Sequence, residues 1–138
     1  MLFPKEGYGP WEDIQDCTCF LLAATTGMRR GEVLALKWKS IDFENKIVNI
    51  VEAWKTEEEL GPPKWNHTRV TPIPIQTSNA LLKLRDESIR MKPDYLVFCY
   101  DDGMRLGDTW WAKYFKKAMT KLNIYTKKRN LKPFFSPT

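Results

Sequence analysis

The sequence predicts an α+β domain, mainly α-helical with a small antiparallel β-sheet. Apolar residues recur at helical spacing in several separate stretches. The region between residues 46 and 75 is instead rich in β-branched residues and carries prolines. Glycine, proline and aspartate clusters separate these stretches. At 138 residues and 16.2 kDa the chain is one domain's worth of protein or less. Hydrophobic residues at 43% and charged residues at 28% are ordinary for a soluble globular domain. A chain of this size hides roughly two thirds of its unfolded surface, and six Trp, seven Phe and five Tyr supply bulk for a core. No apolar run approaches the ~18 residues of a membrane span, and no signal-like leader opens the chain. A collagen, a disordered tail, a membrane protein and a two-domain enzyme are therefore not expected.

The elements follow in order. Gly9-Pro10 before Trp11, Glu12 and Asp13 reads as a helix start, with proline first and acids in the first turn. Ile14, Cys17, Leu21 and Ala24 then repeat at helical spacing, and Cys19 to Ala24 is apolar all round, as in a buried helix. Gly27 is a natural left-handed stop. A second helix is predicted from about Arg29 to Lys37, ending before a turn at Lys39-Ser40-Ile41-Asp42. Lys46 to Trp54 reads as a strand, Thr56 to Pro63 as an acidic loop, and Lys64 to Ile75 as a second extended segment. Pro72 and Pro74 confine that segment's later part to a sheet edge, and the two arms form a long-looped antiparallel hairpin. Thr77-Ser78 is predicted to cap a helix reaching about Met91, with Leu81, Leu82, Leu84 and Ile89 inward. Tyr95 to Tyr100 is a short apolar run closed by an Asp101-Asp102-Gly103 turn. Asp108 caps a final helix whose inner face is Trp111, Phe115, Ala118 and Leu122.

Three cysteines, an odd number, suggest no disulfide framework and fit a reducing compartment. Cys17 and Cys19 point to nearly opposite faces of a helix, and His67 is the one histidine available to a zinc site. Structural thiols are therefore expected, with no metal and no cofactor. The formal charge of +5 is uneven. From Thr109 onward there are eight bases and no acid, whereas residues 1–108 hold 14 bases and 17 acids. A solvated helix face accounts for most such basic ends; a phosphate-facing surface is the sharper alternative.

Thr26-Gly27-Met28-Arg29-Arg30-Gly31-Glu32 is the most informative stretch. A glycine turn opening a helix, with Arg29 in the first turn, sets a guanidinium beside unpaired backbone N–H groups. That suits phosphate, because the arginine fork holds two of its oxygens at once. Glu32 lies on the same helical side and is positioned to brace Arg29. From the residues alone, an exposed arginine with a local ion pair is the commoner arrangement.

The spacing adds to this. Thr-Gly-x-Arg-x-x-Glu followed by Leu-x-Leu-x-Trp and Ile-Asp, here TGMRRGEVLALKWKSIDF, resembles the first arginine box of tyrosine recombinases, the phage-integrase family. The resemblance continues in order through the Ile47–Val51 strand, the Pro63-Lys64 start of the second arm, Thr68-Arg69, and the Pro-Ile-Pro segment. The Leu96-Val97-Phe98 run, a glycine turn and a helix with Phe115 complete it. Trp65 stands where the family usually has a threonine. The resemblance implies a tyrosine recombinase catalytic-domain-like fold and DNA strand cleavage and rejoining through a phosphotyrosyl intermediate, as in site-specific recombination and integration. Double-stranded DNA is the implied partner, with no metal, because fixed cations stabilise the charge on the non-bridging oxygens. Arg29 is implied to be the first catalytic arginine and Lys64 the general acid for the departing 5′-oxygen. Glu32 supports the site.

For DNA-backbone contact the candidates are Arg30, Lys37, Lys39, His67 and Arg69, with solvated positions as the plain alternative and an exposed loop histidine preferred for His67. Trp38, Trp110 and Trp111 are read as packing residues, and the five tyrosines as core aromatics with a polar tip. The family's His-x-x-Arg box and later nucleophilic tyrosine are not found in the 138 residues, and Phe135-Ser136-Pro137-Thr138 is similar to the approach to that box. The expectation is a partial catalytic domain over residues 1–138, without the DNA-clasping domain that precedes it in the family. It would be inactive alone, monomeric, and from a cytoplasmic phage or mobile-element protein that is tetrameric on paired DNA sites when full-length. The rival reading is a non-catalytic DNA-binding or protein-interaction module on the same scaffold.

Overall fold

The first helix begins four residues later than Gly9-Pro10 predicts. In the computed structural model, which describes residues 2–4, 6–55, 59–63 and 68–128, residues 9–13 form turns and bends and α1 spans Ile14–Thr26. The chain turns here to bury Trp11, whose Nε1–H donates to the Leu2 carbonyl at 2.9 Å. Asp13 then caps α1, its Oδ1 accepting the Asp16 N–H at 2.9 Å. Thr18, Cys19, Phe20, Leu21 and Leu22 are buried, so the middle of α1 is enclosed nearly all round, as its composition predicts. Ala24, assigned to the apolar stripe, is exposed. Gly27 ends the helix in the left-handed region at φ 71°.

Helix α2, Arg30–Leu34, is much shorter than the predicted Arg29–Lys37. The chain leaves the helix because residues 36–38 hydrogen-bond to the Tyr95 run instead. Val97 N–H donates to the Leu36 carbonyl at 2.9 Å, and Trp38 N–H to the Tyr95 carbonyl at 3.2 Å. A single 3₁₀ turn, Trp38–Ser40, leads into β1, Ile41–Asp42, where the spacing predicts only a turn.

The predicted strand from Lys46 to Trp54 is two strands, β2 at Ile47–Ile50 and β3 at Ala53–Trp54, because each joins a different sheet. Strand β2 pairs antiparallel with β1 and with β5, Arg69–Pro72, in the register Ile50↔Arg69 and Ile47↔Pro72. Strand β3 pairs with β4, Leu60–Gly61, inside the acidic loop. The predicted hairpin is therefore present, and β5 lies at the sheet edge its prolines require.

Helix α3, Ile75–Glu87, starts straight after Pro74, so Thr77 and Ser78 lie inside it and are buried. Thr77 shares a 2.8 Å hydrogen bond with Thr25 at the α1–α3 contact. Leu81 and Leu84 face the core as predicted, but Ile89 lies beyond the helix and is 88% exposed. The Asp101-Asp102-Gly103 turn forms, with Gly103 at φ 88°. Helix α4, Asp108–Lys128, buries Trp110, Ala118, Met119 and Leu122. Trp111 is only partly buried and Phe115 is 43% exposed, so the buried stripe is shifted from the predicted one. A stack of rings accompanies this rotation: Phe3, Trp11, Phe20 and Trp110 follow one another at centroid distances of 5.7, 4.5 and 5.9 Å.

Tyr8 and Tyr114 pack partly buried against the core, whereas Tyr95 and Tyr100 are exposed, against expectation. All three cysteines are free. Burial pushes the Cys17 thiol up to about 11 and the Cys19 thiol well above its ordinary value, so both are held as thiols. No described helix is long and apolar enough to cross a membrane.

Candidate active site

The turn that presents Arg29 is built from its neighbours. Thr26 Oγ1–H donates to the Leu22 carbonyl at 2.6 Å and accepts the Met28 N–H at 3.3 Å. Gly27 supplies the left-handed step, and Met28 anchors the far side by burying its side chain. Arg29, in extended backbone at φ −77° and ψ 155°, therefore leaves the core and its side chain is exposed.

Five residues of helix have little stability of their own, so α2 is held by what it touches. Val33 and Leu34 are buried. The Trp54 Nε1–H donates to the Leu34 carbonyl at 3.2 Å. Gly31 lies so close to β3 that a Cβ there would stand 2.5 Å from the Trp54 carbonyl oxygen. Arg30 Nε lies 3.1 Å from the Asp108 carboxylate at the start of α4.

Glu32, 2% exposed, organises the turn. Its Oε1 accepts the Arg29 N–H at 2.9 Å, the half of a capping box that an acidic N3 residue supplies. The Arg69 guanidinium binds the same carboxylate with both terminal nitrogens, Nη1 to Oε2 at 2.7 Å and Nη2 to Oε1 at 2.8 Å. Burial pushes this carboxyl up, but the hydrogen bonds from Arg69 and the Arg29 backbone, with both arginine charges, outweigh it and leave it below its ordinary value. Two expectations change here. Glu32 braces Arg29 through the backbone rather than through the guanidinium, and the Arg29 N–H is already satisfied.

Arg29, Arg30, Gly31, Glu32, Trp54 and Lys55 line an open cavity of about 320 Å³, with Asp108 at its margin. Arg69 neutralises Glu32 and Arg30 pairs with Asp108, while among the described residues no acid is ion-paired to the Arg29 guanidinium. The described ion pairs therefore leave the Arg29 charge unneutralised at the cavity. Lys55 and Trp54 belong to it and were not singled out by the sequence. Their signal was position alone, at the end of an apolar strand and just before an acidic run.

The other candidates are dispersed. Lys37 pairs with Glu52 at 3.2 Å and Lys39 with Asp94 at 2.9 Å, both outside the cavity. Lys64 and His67 lie outside the described residues. In the basic terminal helix, Lys117 and Lys121 hold Glu12 at 2.7 and 3.0 Å, which lowers the Glu12 carboxyl to about 2. Among the described residues no three His, Cys, Asp or Glu side chains group as metal ligands.

Residues 9–133 match the sequence profile of the Phage integrase family. The chain belongs to that family. This integrase-family chain is 31% identical to a tyrosine recombinase XerC-like protein of Caldanaerobacter subterraneus subsp. tengcongensis, an alignment covering 76% of the chain and 33% of that protein. It is 30% identical to a putative integrase/recombinase of Haemophilus influenzae, over 70% of the chain and 24% of that protein. It thus spans a third or less of these relatives' length. Its fold superposes on the Tn1549 transposon integrase solved with a circular intermediate DNA at a TM-score of 0.71 and 18% identity, covering 88% of this chain and 41% of that one. The same integrase solved with transposon right end DNA gives a TM-score of 0.66 at 20% identity over 81% of this chain and 38% of that one. The α+β architecture is thus the integrase fold.

Proposed function

We propose that this chain forms part of the DNA-handling centre of a tyrosine recombinase of a phage or mobile element, and that Arg29 binds the phosphate at which a DNA strand is cut and rejoined. The observation that supports the reading is Arg29 itself. It is exposed on a turn fixed by Gly27, Met28 and Glu32, and lines a cavity with Arg30 and Lys55. A guanidinium fixed there opposes the charge that builds on the non-bridging oxygens as a tyrosine hydroxyl attacks phosphorus. The turn fixes the backbone from which the guanidinium charge is presented. In this reading Lys64 protonates the departing 5′-oxygen. Arg30 and Lys55 meet flanking backbone, and Trp38, Trp110 and Trp111 serve packing. In this reading none of the five tyrosines of the chain is the nucleophile, so the chain by itself forms no covalent DNA adduct.

The test is a fluorescence-anisotropy titration of the chain with a labelled duplex across a salt series. Weak, sequence-tolerant binding that falls steeply with salt is expected. In Arg29→Ala the logarithmic salt slope should flatten by about 0.9, the loss of one phosphate contact. An unchanged affinity and slope in Arg29→Ala would overturn the role of Arg29.

A further inference from the structure

The carboxylate of Glu32 receives three N–H groups from two separate parts of the chain. Two come from the Arg69 fork on β5, at 2.7 and 2.8 Å, and one from the backbone of residue 29, at 2.9 Å. Strand β5 is the second arm of the hairpin and begins five positions after Lys64 in the sequence. One buried carboxylate thus ties that arm to the turn that presents Arg29.

Both terminal nitrogens of Arg69 are engaged by this one carboxylate. To contact a phosphate, Arg69 would have to release Glu32 and leave a buried acid without its fork, an unfavourable exchange. Arg29 presents its backbone N–H to the same carboxylate, and its charge also acts on it. By saturating Glu32, Arg69 keeps the Arg29 guanidinium from folding back onto it.

We infer that Arg69 is a positioning residue rather than a DNA contact. It clasps the hairpin arm to the Arg29 turn through Glu32 and leaves the charge of Arg29 available to phosphate. The phosphate part of this inference rests on the function proposed above; the clasp does not. Lysine at position 69 keeps the charge but loses the fork, so it separates the two roles.

Two measurements decide it. The first is amide hydrogen exchange without DNA. In Arg69→Lys the Arg29 amide should lose about tenfold in protection while amides in the middle of α1 and α4 are unchanged. An unchanged Arg29 amide in the folded variant overturns the clasp. If Arg69→Lys does not fold, Arg69→Gln is read in the same way, and failure of both to fold overturns a role confined to positioning. The second is a DNA-binding cycle of Arg69→Lys with Arg29→Ala. Arg69→Lys should weaken duplex binding severalfold when Arg29 is present and leave it within about twofold when Arg29 is absent. Equal losses in both backgrounds, or unchanged binding in both, would overturn the inference. A chain that binds no duplex overturns the proposed function, while the exchange measurement still decides the clasp.

Discussion

Asp16 is 5% exposed in the first turn of α1 and has the carboxylates of Asp13 and Glu12 for neighbours. Burial foremost, then Asp13 and Glu12, push its carboxyl up to about 7, with the Lys117 charge opposing. The folded chain therefore holds this proton more tightly than the unfolded chain, whose aspartates titrate near 3.8. Between these two values stability falls as pH rises. Asp16→Asn should flatten that limb and gain on the order of 1–2 kcal/mol at neutral pH. Urea midpoints at a series of pH values check this, and an identical pH profile for the two proteins would contradict it. Glu32 acts with the opposite sign. Its depressed carboxyl stabilises the fold above its ordinary value, and that contribution is lost as the medium is acidified through the lower one.

At the scale of elements, α2 shows what local signals carry and what they cannot. Gly27 and Glu32 were legible because a left-handed stop and an acid three residues beyond Arg29 act within a few positions. The length of α2 was not, because it is set by the Tyr95 run some sixty positions later, which takes the Leu36 carbonyl. The start of α1 was misplaced for a similar reason: the indole of Trp11 is buried, and that burial outweighs a proline-led start. The β2–β5 pairing was legible from β-branched residues and edge prolines. The role of Arg69 was not, since nothing in its neighbourhood names Glu32 as its partner. The seating of α2 on β3 gives a direct test. Gly31→Ala drives a methyl against the Trp54 carbonyl and should cost roughly 1–3 kcal/mol. A thermal melt within error of the parent would show that α2 has room to shift.

Across the molecule, the aromatic stack joins the N-terminal segment, α1 and α4, with Phe20 in its middle. The Trp111 ring also lies 4.6 Å from Phe20, so one residue sets how α4 sits. Removing a buried ring of this kind takes away its transfer energy and leaves a void. Phe20→Ala should cost about 3–5 kcal/mol, read as a lowered denaturation midpoint. A loss below about 1 kcal/mol would mean that α4 is seated by other contacts. Trp110 lies parallel to Phe20 and is buried, whereas Trp111 meets the same ring tilted and is only partly buried. Net charge misleads at this scale too. Two lysines of the basic helix are held by Glu12, while the Arg29 cavity lies in the part of the chain with more acids than bases.

The three-stranded sheet has a consequence for how the protein behaves in concentrated solution. Its outer strands offer another chain almost no template: β1 is two residues long, and β5 ends on Pro72 with Pro74 close behind. A proline has no N–H to donate, and a two-residue strand offers too short a row of donors and acceptors to nucleate a cross-chain ladder. The sheet that carries Arg69 is closed to growth by its own ends.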